Sequence, residues 1–310
     1  MTISRVRLQI IPAILLAVSV LLVACNGSSA TAKLSVPTAT PPASTHTPTP
    51  TLGPAHYTHV VLTNGIGDPD DLTFDAQGNL LVADNSRGKI LRLTLSGQIT
   101  TLLSGLPEPE GIINMPDGSL IFAVQGQNGG HVDQIDHLAT GSTTPTTLIT
   151  FTNSTNMPGL DSLSIDTLTG DILAADSPNG KVYRVSIDGK TRTLLASGFV
   201  RPVDAINDQA GNIYIADEYG NEVVRIAPNG TQTKLAHLLD PDDLTFDRDG
   251  TLLVTALGDN TIDRLNPATG QMLGVVATDL HEPQGLVVDA HGNIFVSEEL
   301  ANTVLELKRG

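Results

Sequence analysis

The stretch 68-DPDDLTFDAQGNLLVADNSRGKILRLTLSG-97 is the unit from which this 310-residue chain is built. Its apolar residues fall in short blocks rich in Leu, Val and Ile, at 72–74, 80–83 and 90–95, which suits half-buried strands. Between the first two blocks, Asp75 and Asn79 offer side chains to nearby backbone and Gly78 supplies a positive φ, so this segment reads as a tight turn. Asn85 to Gly88 makes a second turn and Ser96 to Gln98 a third. The unit predicts four short antiparallel strands.

The first turn recurs at Met115–Ser119, Asp166–Asp171, Asp208–Asn212, Asp247–Thr251 and Asp289–Asn293, with spacings from Asp75 onward of 40, 51, 42, 39 and 42 residues. A period near 42 with four strands per copy is the mark of propeller blades, so residues 56–310 predict an all-β, six-bladed β-propeller of four-stranded antiparallel blades. The sixth copy, from Pro283, has room for only three strands. The missing outer strand is available as His59–Thr63, and its pairing with the last blade would close the ring. At this length the domain is expected to hold one large core.

Two segments precede the propeller. Arg5 and Arg7 stand before an uncharged run, residues 8–24, that contains Pro12 and ends in Leu22-Val23-Ala24-Cys25. Seventeen residues suit a signal peptide better than a membrane span of about 20. The last four residues resemble the lipobox of bacterial lipoproteins, which implies cleavage within 1–25, lipid on Cys25 and an exported protein anchored outside the cell membrane. Cys25 is the only cysteine, so no disulfide stabilises the domain. In residues 26–55, 17 of 30 are Ser, Thr or Pro and none is acidic, a composition expected of a disordered linker.

Without residues 1–25 the chain carries 15 basic and 33 acidic residues, a net charge of −18. Such a surface repels phosphate backbones and attracts cations, which argues against nucleic acid as a partner. No Ser or Cys nucleophile elbow, phosphate-cradling glycine loop or paired-Cys metal motif is present. Trp is absent and aromatics are 3% of the chain, too few for the stacking platforms of a lectin.

Many of the acids have a structural reading. Asp75, Asp166, Asp208, Asp247 and Asp289 share the turn position, where an acceptor is wanted, and Asp84, Asp176, Asp217 and Glu298 share the end of the second strand. The acids just before the first strand differ. Aligned on the turns, one position holds Asp70, Glu110, Asp161, Val203, Asp242 and Gln284, and the next holds Asp71, Gly111, Ser162, Asp204, Asp243 and Gly285. Inner strands line a propeller's axis, so one of these sets is expected at the channel mouth, and a one-residue change of register exchanges them. Converging carboxylates repel by about 4 kcal/mol per pair at 4 Å and an effective dielectric of 20, which a hard cation such as calcium relieves. The predicted metal set is Asp70, Glu110, Asp161 and Asp242.

Lines such as 283-PQGLVVDAHGNIFVSEELANTV-304 and 202-PVDAINDQAGNIYIADEYGNEV-223 resemble the NHL repeat, and the resemblance runs through the whole domain. The domain is also similar to the gluconolactonase, regucalcin and paraoxonase superfamily, whose resemblance implies a catalytic calcium held at the channel by a Glu, Asn and Asp set. Pro109-Glu110-Gly111 matches the family's Glu, and Asp242 or Asp161 its Asp, while Asp or Gln stands where the family has Asn.

Three classes stay open: a module binding a small-molecule or protein ligand at the channel-mouth face, a calcium-dependent lactonase or ester hydrolase, and a structural or lyase-type propeller. In the hydrolase reading His281 is the base and Arg201 holds an anionic substrate group, or else Arg201 pairs with an acid and His281 is a loop residue. An insertion in the second copy, Gln125–His131 followed by 139–147, would form a lip on the channel-mouth face. The domain is expected to be a monomer.

Overall fold

The computed structural model describes residues 56–126, 132–153, 155 and 157–310. The signal segment with Cys25, the linker 26–55 and the insertion's residues 127–131 lie outside the described residues.

The domain is a six-bladed β-propeller of four-stranded antiparallel sheets. Strand β1 (Tyr57–Asn64) comes first, and blade 1 follows as β2 (Pro69–Phe74), β3 (Leu80–Asp84), β4 (Lys89–Leu93) and β5 (Ile99–Ser104). Blade 2 holds β6 (Pro109–Asn114), β7 (Leu120–Val124), β8 (Val132–Leu138) and β9 (Thr146–Thr152). Blade 3 holds β10 (Leu163–Ile165), β11 (Ile172–Asp176), β12 (Lys181–Val185) and β13 (Arg192–Ser197). Blade 4 holds β14 (Pro202–Asn207), β15 (Ile213–Asp217), β16 (Glu222–Ile226) and β17 (Gln232–His237). Blade 5 holds β18 (Pro241–Phe246), β19 (Leu252–Ala256), β20 (Thr261–Leu265) and β21 (Met272–Ala277). Blade 6 holds β22 (Pro283–Val288), β23 (Ile294–Glu298) and β24 (Thr303–Arg309), with β1 antiparallel to β24 as its fourth strand.

The turn acids act locally. Asp75 Oδ1 accepts from the backbone N–H of Gln77 and Asn79, both at 2.9 Å, and Asp208 and Asp289 repeat the arrangement. Asp217 takes the N–H groups of Val200 and Arg201, and Glu298 that of His281, so these acids fasten the loop leading into the inner strand.

Every residue of β3, β7, β11, β15, β19 and β23 is buried, because each second strand is covered on both faces by neighbouring blades. The apolar interior is accordingly six clusters rather than the one core expected. Each lies between two adjacent blades, as with Ile66, Leu80, Val82 and Phe295 between blades 1 and 6. Sheets bury their faces against one another, and a ring of six sheets has six such interfaces.

Five of the six inner strands begin with a β-bulge, β10 of blade 3 pairing regularly. Pro69 pairs with Asp84 and Leu72 with Val82, so Asp70 and Asp71 face the single residue Ala83, and blades 2, 5 and 6 do the same. Neighbouring side chains of a regular strand point to opposite faces, but a bulge re-aims one of them. Both acid sets therefore reach the axis, where the sequence pattern had allowed only one.

Candidate functional site

The Asp70 set lines a cavity of about 520 Å³ at one mouth of the channel. The Asp71 set lines a second, of about 310 Å³, further along the inner strands. In that second region the carboxylates tie blades together. Asp71 accepts from Leu72 N at 2.6 Å and from Ile112 N of the next blade at 2.9 Å, Asp204 reaches Leu244 N at 3.0 Å, and Asp243 reaches Leu286 N. Burial, with Asp161 adding to it, pushes the Asp204 pKa up to about 6 against the backbone bonds from Ala205 and Leu244.

The mouth cavity gathers Asp70, Glu110, Asp161 and Asp242 as the sequence pattern suggests. Of these, Asp70, Glu110 and Asp161 place one carboxylate oxygen each within 4.8 Å of one another, and Asp242 is not part of that group. Glu110 is 4% exposed and accepts from Asn85 Nδ2. Burial, reinforced by Asp161 and Glu299, lifts the Asp70 pKa to about 7. Burial and the Asp70 carboxylate hold Glu110 well above the usual carboxylate range, and Asp242 is raised by burial and by Asp161. The Asp70 and Glu110 carboxyl groups thus crowd one another, and each makes the other harder to ionise.

Arg201 lines the cavity as its single basic residue among the described residues. Its Nη2 donates to Asp161 Oδ2 at 2.7 Å, its Nη1 pairs with Glu218, and its guanidinium lies 5.2 Å from the centre of the Tyr219 ring. Burial works against the Arg201 charge, but Asp161 and Asp242 outweigh it and hold its pKa above the ordinary value. Arg201 is thus committed to neighbouring acids rather than free for an anion. His281 is not among the cavity-lining residues. Its side chain is 64% exposed and its Nδ1 lies 3.2 Å from Glu298 Oε1, a strand-end acid outside the cavity.

Two further rings of side chains line the mouth, of which the sequence pattern singled out only Arg201. The residue following each second strand contributes Asn85, Gln125, Glu218, Leu257 and Glu299, and the residue two before the Asp70 position contributes Asp68, Glu108, Arg201, Asp240 and Glu282. One backbone bond sets each pair side by side: Asn85 N to Asp68 O, Gln125 N to Glu108 O, Glu218 N to Arg201 O, Leu257 N to Asp240 O and Glu299 N to Glu282 O, all 2.9–3.1 Å. Glu108, Asp240 and Glu282 hold positive φ angles of 25°, 45° and 51° immediately before a proline, a conformation most residues avoid. Both rings could have been read from the 42-residue alignment, by extending it one residue past Asp84 and two before Asp70. In all, ten carboxylates surround Arg201.

No sequence family matches the chain, and no curated protein does. Among solved structures, the fold is shared with a gluconolactonase from Xanthomonas campestris at 17% identity and a TM-score of 0.67, covering 82% of this chain and 90% of that one. It is shared also with virginiamycin B lyase from Staphylococcus aureus at 17% identity and 0.60, covering 82% and 99%. A chain of a nidogen–laminin complex matches at 22% and 0.59, covering 74% and 88%. At such identities the likeness is one of fold, and the three neighbours differ in what they do.

Proposed function

We propose that this protein is a lipid-anchored, extracytoplasmic propeller that binds a divalent cation, calcium, and with it a small ligand at the mouth of its channel. The observation that carries the reading is the meeting of Asp70, Glu110 and Asp161 from three blades within 4.8 Å. The donor set fits calcium. It is all oxygen, Asn85 orients Glu110, and the described cavity lining offers no imidazole or thiol that would favour zinc. Anchoring rests on the lipobox-like end of the signal segment. Metabolic labelling with a fatty acid tests it, and a Cys25→Ala protein that still carried label would refute it.

A calcium-dependent lactonase is the second reading, favoured by Glu110 standing before Gly111 and by the gluconolactonase fold neighbour. A bound calcium supplies a Lewis acid for a lactone carbonyl. The chain's own part would be to hold the ester with the mouth residues and to accept a proton from water on a cavity carboxylate, because His281 stands outside.

Calorimetric calcium titration of the purified protein tests the cation site. One site is expected, worth about 2.7 kcal/mol of stability at 100 times its dissociation constant, and Glu110→Gln should weaken it by roughly tenfold or more. Absence of both heat and a melting shift would remove the calcium reading and the lactonase with it.

A further inference from the structure

Asp242 is the carboxylate that the close group leaves out. It is 7% exposed, it lines the mouth cavity, and among the described residues it makes no direct hydrogen bond or ion pair, the Arg201 charge acting on it only through space. A carboxylate buried to that degree is ordinarily matched by a donor, and here the open side is the cavity.

The rim supplies an independent observation. On blades 1–3 the positions flanking the mouth, two before each inner strand's proline position and two after each second strand, hold only Gly, Ser and Pro. On blades 4–6 the same positions include Val200, Tyr219, Leu239 and Leu300, exposed by 57%, 50%, 44% and 66%. Tyr219 and Leu257 line the cavity itself, and Leu239 abuts the lining residue Gly258, whose added Cβ would stand 2.8 Å from the Leu239 Cβ. Scattered apolar residues on a surface are ordinary, whereas Tyr219 and Leu257 in the cavity wall with Leu239 beside them mark a recognition surface.

We propose that the blade 4–6 half of the mouth binds a small organic amine, its ammonium group against Asp242 and its apolar body against Tyr219, Leu257 and Leu239. The inference rests on reading this cavity as a ligand site. A bare metal ion has no use for the apolar rim, a neutral apolar molecule has none for ten carboxylates, and an anion is repelled by them. An ammonium beside Asp242 would form a charge-assisted hydrogen bond.

The test is calorimetric titration of the calcium-saturated protein with 2-phenylethylammonium, the uncharged 2-phenylethanol and methylammonium. The aromatic amine should bind about tenfold or more tightly than either comparison compound. Asp242→Asn should cut its affinity by about tenfold or more with a much smaller change in calcium affinity, and Tyr219→Ala should weaken the aromatic amine but not methylammonium. Equal binding of the alcohol, or an unchanged affinity in both variants, overturns the proposal. If calcium binds and the amine does not, the amine inference fails and the cation site stands. If neither binds, the reading of the cavity falls with it.

Discussion

Gly111 has no room for a side chain: an added Cβ would lie 2.3 Å from Leu163 N and 2.7 Å from Ser162 C on the next blade. The close approach belongs to the same backbone turn that carries Glu110 toward Asp70 and Asp161, since Gly111 N reaches Asp161 O at 3.3 Å. The pairing of Glu110 with Gly111 thus has a packing reason. Gly111→Ala should cost about 1–3 kcal/mol through overpacking, lowering the melting temperature by several degrees, and should weaken calcium binding by displacing Glu110. An unchanged melt would show that the blades do not approach so closely. That Glu110, Asp161 and Asp70 stand together at the channel mouth was legible, because residue type and repeat position suffice to find them. The place of His281 outside the cavity was not legible, since its orientation toward Glu298 is decided by a contact 17 residues along the chain.

At the level of the strand, the bulge opening the inner strands of blades 1 and 5 lets one dipeptide do two tasks. Asp70 and Asp242 turn to the mouth, while Asp71 and Asp243 bond the backbone of the following blade. An alternating pattern cannot show this, because alternation assumes the ladder that the bulge interrupts. The closing strand is held more simply. β1 pairs with β24 along its length, Gly310 N donates to His56 O at 2.8 Å, and Arg264 of blade 5 reaches Tyr57 Oη at 3.2 Å while pairing with Asp247 at 2.6 Å. Removing residues 57–64 would bare the edge of β24 and the apolar cluster that includes Tyr57. Such a protein should lose its cooperative melt and elute as aggregates in size-exclusion chromatography. A monomer melting within a few degrees of the intact domain would show that closure by β1 is dispensable.

For the whole molecule, the balance of charge makes stability depend on pH and cation together. Asp70, with a folded pKa of about 7, and Asp204, at about 6, both lie above the ordinary 3.8 of the unfolded chain. Between those values the folded state binds more protons than the unfolded one, so the stability tied to these groups falls as pH rises from about 4 to 7. Turn acids such as Asp75 act in the other direction. Burial opposes its ionisation, but the Asn79 and Gln77 bonds and Arg92 outweigh burial and lower its pKa, so its contribution is lost as pH falls below the carboxylate range. With chelator present, the melting temperature should therefore be several degrees higher at pH 5 than at pH 7.5, and saturating calcium at pH 7.5 should restore most of the difference. Equal melts at the two pH values in chelator would contradict the crowding of charge at the axis.

By itself the sequence determined the number of blades, their turns, the closing strand and the acidity of the channel, because each follows from local chemistry repeated at a fixed period. Asp, Gly and Asn at a turn act within five residues, and a missing strand shows as a shortfall in length. Only the tertiary structure decided which acids meet. Asp70, Glu110 and Asp161 converge, Asp242 stands apart without a partner, and Arg201 is spent on Asp161 and Glu218. Those relations join residues 17 or more positions apart through bulges and the curvature of a closed ring, and nothing in the spacing of residue types along a chain encodes the direction in which a side chain leaves a bulge.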